Sequence, residues 1–203
     1  MIVYLCDMKK TDTRELECHL TDSQLARYRR CLRPERQRQY LCSRVFYNRI
    51  KKSLHAAGDD DFPVHSRHRP LMCEKGLFYT SLSHSGDFFA LSLSSTPAAV
   101  DMEVVRQRNF PALADCAFER PVALKIKNSD NPKKAFHERW AQRECQIKLP
   151  DDSQKAGKLL FTSYWEKING SEICLGVLRQ KSESVRIERV CNLTPQELSH
   201  EFK

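Results

Sequence analysis

Asp101 and Glu103 stand two residues apart in the apolar run Ala98–Val105. A strand there turns both carboxylates to one face and sends Val100, Met102 and Val104 to the other, into a core. Two carboxylates held side by side repel unless a proton or a cation lies between them. Magnesium suits such a pair, because it takes one or two carboxylates and completes its shell with water and phosphate oxygens. The plain alternative for an acid-x-acid strand is an exposed, solvated edge. Further along, Trp140, Glu144 and Lys148 recur every four residues and share one face of a helix. A surface ion pair between Glu144 and Lys148 is worth only ~0.3–0.5 kcal/mol and leaves the large apolar Trp140 beside it unexplained. A third group, Ser81-Leu82-Ser83-His84-Ser85-Gly86-Asp87, combines hydroxyls, an imidazole and a glycine turn, a composition suited to binding an anion. A serine hydrolase is not indicated, since no G-x-S-x-G elbow surrounds Ser83. Arg69-Pro70 adds a cation in a constrained loop.

The elements that must position these residues follow from periodicity and punctuation. Ile2–Leu5 reads as a first strand. Thr21 or Asp22 caps a helix through Leu32, and Pro34 opens a second helix from about Glu35 to Ala57, closed by Gly58. On that second helix Cys42, Phe46, Ile50 and Leu54 form an apolar stripe with Tyr40 and Tyr47 beside it. Arg38, Arg44, Arg49 and Lys52 fall largely opposite, where they can meet phosphates. Asp59–Pro70 is a loop. Leu77–Leu82 and Phe88–Ser94 are strands joined around Ser85-Gly86-Asp87, and Ala98–Val105 is the next strand. Asn109–Phe118 is helical, a loop runs through Asn128–Pro132, and Lys133–Leu149 is a long helix. Leu159–Ile168 and Glu172–Arg179 flank the hairpin turn Asn169-Gly170, and Val185–Val190 is a last strand. The order strand, helices, strands occurs twice. The expected architecture is therefore α+β in two similar halves, 1–97 and 98–203.

Charge and composition narrow the partners. Between Arg27 and Lys52 ten basic residues stand against Glu35 alone, a net +9, which leaves −1 for the rest of a chain whose total is +8. Such a local field favours an anionic partner: nucleic acid, a nucleotide phosphate or an acidic protein. With 40% apolar and 30% charged residues the chain has ordinary globular composition. No apolar run is long enough to span a bilayer, and Ile2–Cys6 is too short for a signal peptide, so a cytoplasmic protein is expected. The nine cysteines are odd in number and include no C-x-x-C pair, which predicts reduced, packed thiols.

In order and spacing these pieces carry a resemblance. Arg69-Pro70, then Ser83-His84-Ser85, then Asp101-x-Glu103, then Trp140-x-x-Arg143-Glu144-x-x-x-Lys148 resembles the Sfp-type 4′-phosphopantetheinyl transferases. Their pattern reads G-K-P, S-H-S, G-x-D-x-E and W-x-x-K-E-x-x-x-K. Here His68 and Arg69 replace the first glycine and lysine, Ala99 the second glycine, and Arg143 a lysine. The resemblance runs from the basic helix near Arg38 to Lys148. It implies a pseudo-dimer of two α+β halves with the active site in the cleft between them. It also implies coenzyme A as donor, an apo acyl or peptidyl carrier protein as acceptor, and magnesium on Asp101, Glu103 and Glu144. Lys148 would then lie at the coenzyme A phosphates. Ser83, His84 and Arg69 would bind the nucleotide end, with Arg38 and Arg44 as looser candidates. Glu144 is the candidate base for the carrier serine. Carrier proteins of this class are acidic, which matches the +9 segment, and the two-half architecture makes a monomer the default.

Other classes fit less of the chain. A metal-dependent nuclease usually places a lysine two residues after an acid, whereas Glu144 and Lys148 are four apart. A nucleic-acid-binding module explains the arginines but not three carboxylates, which would repel phosphate without a metal. A degenerate transferase that binds carriers without acting on them is opposed by the complete carboxylate set.

Overall fold

The computed structural model describes residues 1–9, 11–57, 71–74, 76–149 and 158–190. Strand β1 (Ile2–Asp7) leads through a short 3-10 turn to helices α1 (Asp22–Arg29) and α2 (Pro34–Ser53). Strands β2 (Leu71–Cys73), β3 (Gly76–Ser85) and β4 (Phe88–Ser94) follow. Then come β5 (Ala99–Val104), helices α3 (Phe110–Ala117), α4 (Arg120–Lys127) and α5 (Pro132–Lys148), and strands β6 (Leu159–Ile168), β7 (Ser171–Gln180) and β8 (Arg186–Val190). The class is α+β.

Local chemistry sets these boundaries. Thr21 and Gln24 form a reciprocal capping box that starts α1. Proline occupies the first turn of α2, α3, α4 and α5, where its missing N–H costs nothing. Asn109 and Asn131 accept the orphan N–H groups of α3 and α5. Helix α2 stops at Ser53, earlier than the expected Ala57. His55 adopts a left-handed φ of 49°, and its N–H bonds Lys52 O at 3.1 Å while the Ala56 N–H bonds Lys51 O at 2.9 Å. Those two bonds close a Schellman motif, which completes the helix before Gly58 is reached. Gly58 itself lies outside the described residues. Asn169 and Gly170, both at positive φ, form the β6–β7 hairpin turn.

Two sheets result, ordered β2-β3-β4-β1-β8 and β5-β7-β6 among the described residues. Strands β1, β4 and β3 run antiparallel with the later hairpin strand in the centre, and β5, β7 and β6 repeat that order. Each half therefore has the same topology: a strand, helices, then a hairpin whose second strand inserts beside the first. The boundary expected at Pro97 falls in the connection between β4 and β5. Strand β8 crosses it, pairing in parallel with β1 from Ile2↔Arg186 to Cys6↔Val190.

Three apolar layers hold the molecule together. Leu41, Cys42, Val45, Phe46 and Ile50 of α2 pack on Tyr4, Phe89 and Leu91 of the first sheet. Val100 and Met102, with Ile173, Leu175 and Val177, pack against Val3, Leu5, Phe88 and Ala90 between the sheets. Val100 and Met102 thus face the core as the alternation predicts. On the other face of the second sheet, Cys145 and Leu149 of α5 meet Ala99 and Leu178. Gly176 permits that approach, since a Cβ there would lie 2.7 Å from the Ala141 Cβ. Helix α4 falls where the sequence reading assigns no element; Ala123 and Ile126 bury it against α3 and α5. The eight described cysteines are free, and burial pushes the Cys42 and Cys174 thiols up to about 12. Among the described residues no helix is long and apolar enough to cross a membrane.

Candidate functional site

Where β3 and β5 run side by side the two sheets meet, and there the acidic pair is held. Asp101 lies opposite Gly176 on β7 and is buried, 4% exposed. An unpaired carboxylate so placed would cost several kcal/mol in lost hydration. Its Oδ1 accepts the Ser83 hydroxyl at 2.9 Å and the Lys148 ammonium at 2.7 Å, and Lys148 also donates to Val100 O at 3.0 Å. Asp101 Oδ2 is buried with no hydrogen-bond partner among the described residues. Glu103, on the same strand face, accepts the Ser85 hydroxyl at 3.1 Å. Burial, and then the neighbouring Asp101 carboxylate, push its carboxyl above the ordinary value against the pull of Ser85, Trp140 and Lys148. A proton or a cation is thus favoured beside this pair.

Helix α5 supplies the opposing wall. Trp140 stacks on Phe136, with ring planes 9° apart, meets Phe118 edge-on, and lies close enough to Glu103 to help draw its carboxyl down. That accounts for a tryptophan on the polar face of this helix: it is a shelf for the glutamate. Two turns later Lys148 reaches Asp101. Glu144, midway between them on the same face, is half-buried and makes no hydrogen bond or ion pair with the described residues. Arg143 lies over the Trp140 ring at 5.8 Å and donates to Ala117 O, the last residue of α3, at 2.6 Å.

Cations gather at the adjoining rim. Arg36 Nη1 lies 3.5 and 3.4 Å from the two ring nitrogens of His84. His84 is exposed on one side. Packing around the rest of its ring, and then the Arg36 guanidinium, hold the imidazole below its ordinary value, with Lys148 and Arg44 acting in the same direction. Gln39 ties α2 to this corner by donating to Gly86 O at 2.9 Å.

The predicted residues therefore divide. Asp101, Glu103 and Lys148 come together, with His84 on the rim and Glu144 on the facing helix. Ser83 is buried with its one proton given to Asp101, so it orients that carboxylate instead of facing a phosphate. Arg44 leaves the expected basic face: it is 7% exposed and lies over the Tyr40 ring at 4.7 Å. The apolar surface of α2 is wider than one stripe, because both the first sheet and α1 cover it. Arg38 is exposed on α2. Arg69 lies outside the described residues. Among the described residues no three acidic, histidine or cysteine side chains converge closely enough to hold a metal ion.

Gln39 was not singled out in the sequence, Arg36 counted there only within the basic segment, and Ser85 only within the hydroxyl-rich turn. The spacing of Arg36, Gln39 and Ser43 on one polar helix face was the available signal. The arrangement amounts to a buried aspartate with one free oxygen beside a half-buried glutamate, lined by an ammonium and bordered by an arginine and an imidazole held below its ordinary value. Such a site accepts a hard cation together with a polyanion. No protein-family model matches the chain, and no curated protein matches it either.

Proposed function

We propose that the protein is a magnesium-dependent 4′-phosphopantetheinyl transferase with the pseudo-dimeric fold of that family. Its reaction transfers the phosphopantetheine arm of coenzyme A to a serine of an acidic apo carrier protein and releases adenosine 3′,5′-bisphosphate. The observation that carries this reading is the buried, unpartnered Oδ2 of Asp101 beside Glu103, whose carboxyl already resists a second negative charge. Asp101 and Glu103 would hold a divalent ion, with Glu144 facing them from α5 and water and phosphate oxygens completing the shell. The ion would supply neutralisation of the pyrophosphate and of the charge developing on the leaving phosphate.

The chain's own residues take the remaining roles. Lys148, fixed between Val100 O and Asp101, presents a positive charge to the bridging phosphates. Arg36 and His84 bind phosphate at the nucleotide end, with Arg38 as a further exposed cation. The carrier serine oxygen forms a bond to the phosphorus on the pantetheine side, and the pyrophosphate P–O bond breaks. Glu144, free of other partners, takes the serine proton. The free thiols suit a reducing cytoplasm, and the paired halves suit a monomer.

Intact-mass analysis of apo carrier incubated with the protein, coenzyme A and magnesium tests the reading. A gain of one phosphopantetheine arm, lost on chelation and in Glu144→Gln at unchanged melting temperature, is the expected result. No gain on fatty-acid, polyketide and nonribosomal-peptide carriers alike would overturn it.

A further inference from the structure

Strand β5 lies along β3 without the backbone ladder that joins neighbours within a sheet. Its N–H groups on that side are met by serine side chains. Val100 N–H donates to Ser81 Oγ at 3.2 Å, Met102 N–H to Ser83 Oγ at 3.1 Å, and Val104 N–H to Ser85 Oγ at 3.1 Å. The match is periodic because both strands repeat every two residues. Buried N–H groups require acceptors, and a serine row provides them where the two sheets cannot share a ladder.

A hydroxyl that accepts a hydrogen bond still has one proton to give. Ser83 gives its proton to Asp101 Oδ1 and Ser85 gives its proton to Glu103 Oε2. Ser81 accepts from β5 in the same way but meets no carboxylate. With Ser83 and Lys148 both on Oδ1, the free valence of Asp101 is confined to Oδ2.

We propose that Ser83 and Ser85 are positioning residues that aim the Asp101 and Glu103 carboxylates at a divalent cation, and that Ser81 holds the same sheet junction without taking part. The inference rests on the metal-dependent reading above. It makes cation geometry depend on the alignment of the two halves, because the serines belong to one sheet and the carboxylates to the other.

The test is Mn²⁺ binding to the full chain without coenzyme A or carrier, followed by electron paramagnetic resonance of the free ion. Ser83→Ala and Ser85→Ala should weaken binding about tenfold or more, the usual consequence of losing a partner of a metal ligand. Ser85→Thr should restore it. Ser81→Ala, which deletes the same kind of backbone bond, should lower the melting temperature comparably yet bind Mn²⁺ as the unsubstituted chain does. Equal weakening in Ser81→Ala, or undiminished binding in both other alanine variants, would overturn the proposal, as would an unsubstituted chain that binds no Mn²⁺. The transfer assay separates the two readings. Serine-dependent Mn²⁺ binding without carrier modification removes the transferase and leaves the positioning role. Chelator-sensitive carrier modification with Mn²⁺ binding indifferent to both serines removes the positioning role alone.

Discussion

Glu103 shows how a site residue can oppose the stability of its own fold. Its carboxyl is held above the ordinary carboxylate value by burial and then by Asp101. A carboxyl raised in this way favours the folded state only while protonated. Its contribution is present below the unfolded midpoint and is lost as pH rises through the folded one. At neutral pH without divalent ions, Glu103→Gln should therefore raise the melting temperature, by about 2–4 °C for each ~1 kcal/mol recovered in a chain of this size. On the proposed metal-dependent reading, magnesium should raise the melting temperature of the unsubstituted protein and not that of this variant. Differential scanning calorimetry with and without magnesium measures both, and a lower melting temperature for the glutamine variant would count against the repulsion. Lys148 behaves oppositely. It neutralises Asp101 on the spot, and without it a buried carboxylate would stand beside Glu103 with no cation.

At the level of elements, α5 serves two surfaces. One side carries Trp140, Glu144 and Lys148 to β5, and the close approach depends on Gly176. The other side enters an aromatic cluster with α3, where His137 lies 5.3 Å from Phe110 and 6.1 Å from Trp165 between ring centroids. Neither ring nitrogen of His137 has a hydrogen-bond partner among the described residues. Burial and then Lys133 hold its imidazole below the ordinary 6.5, with Arg108 adding to this and Glu172 opposing it. A histidine depressed in the fold is protonated first in the unfolded chain. Stability should therefore fall as pH drops from about 6.5 toward the folded midpoint and be unaffected above it. His137→Phe should flatten part of that slope in urea titrations at pH 8 and pH 5.5, the remainder belonging to His84. An unchanged slope would mean that His137 takes up its proton equally in the folded and unfolded chains, so that folding does not depress it.

Across the whole molecule the charge is as uneven as the topology is regular. Arg29, Arg30, Arg33 and Arg38 are exposed around the α1–α2 corner and form no ion pair with described residues, while Leu32 projects among them at 95% exposure. That corner lies within a turn of Arg36 and so beside the rim of the site. For an acidic carrier such a field speeds encounter and is screened by salt. Transfer measured as kcat/KM should fall as sodium chloride rises. Arg29→Glu with Arg30→Glu and Arg33→Glu should lower it on the order of tenfold at low salt without changing coenzyme A binding. A rate indifferent to both changes would assign the arginines another task.

Local rules made much of this legible before any fold was known. Alternation alone sent Val100 and Met102 inward and left Asp101 and Glu103 together, because side-chain direction in a strand depends only on parity. Asn169-Gly170 marked its hairpin because few other residues tolerate positive φ twice in succession. The repeated order of elements was likewise readable from punctuation. Contacts between distant segments were not. Whether α2 would bury Arg44 depended on α1 and the first sheet covering it, and helix α4 exists because α3 and α5 bury Ala123 and Ile126. The pairing of β8 with β1, the approach of Arg36 to His84 and the use of Ser83 as a link between sheets join residues far apart in the chain. Composition and spacing determine what each segment buries and which groups it offers; only tertiary packing decides which segment lies opposite, because that choice is made by the free energy of the whole assembled core.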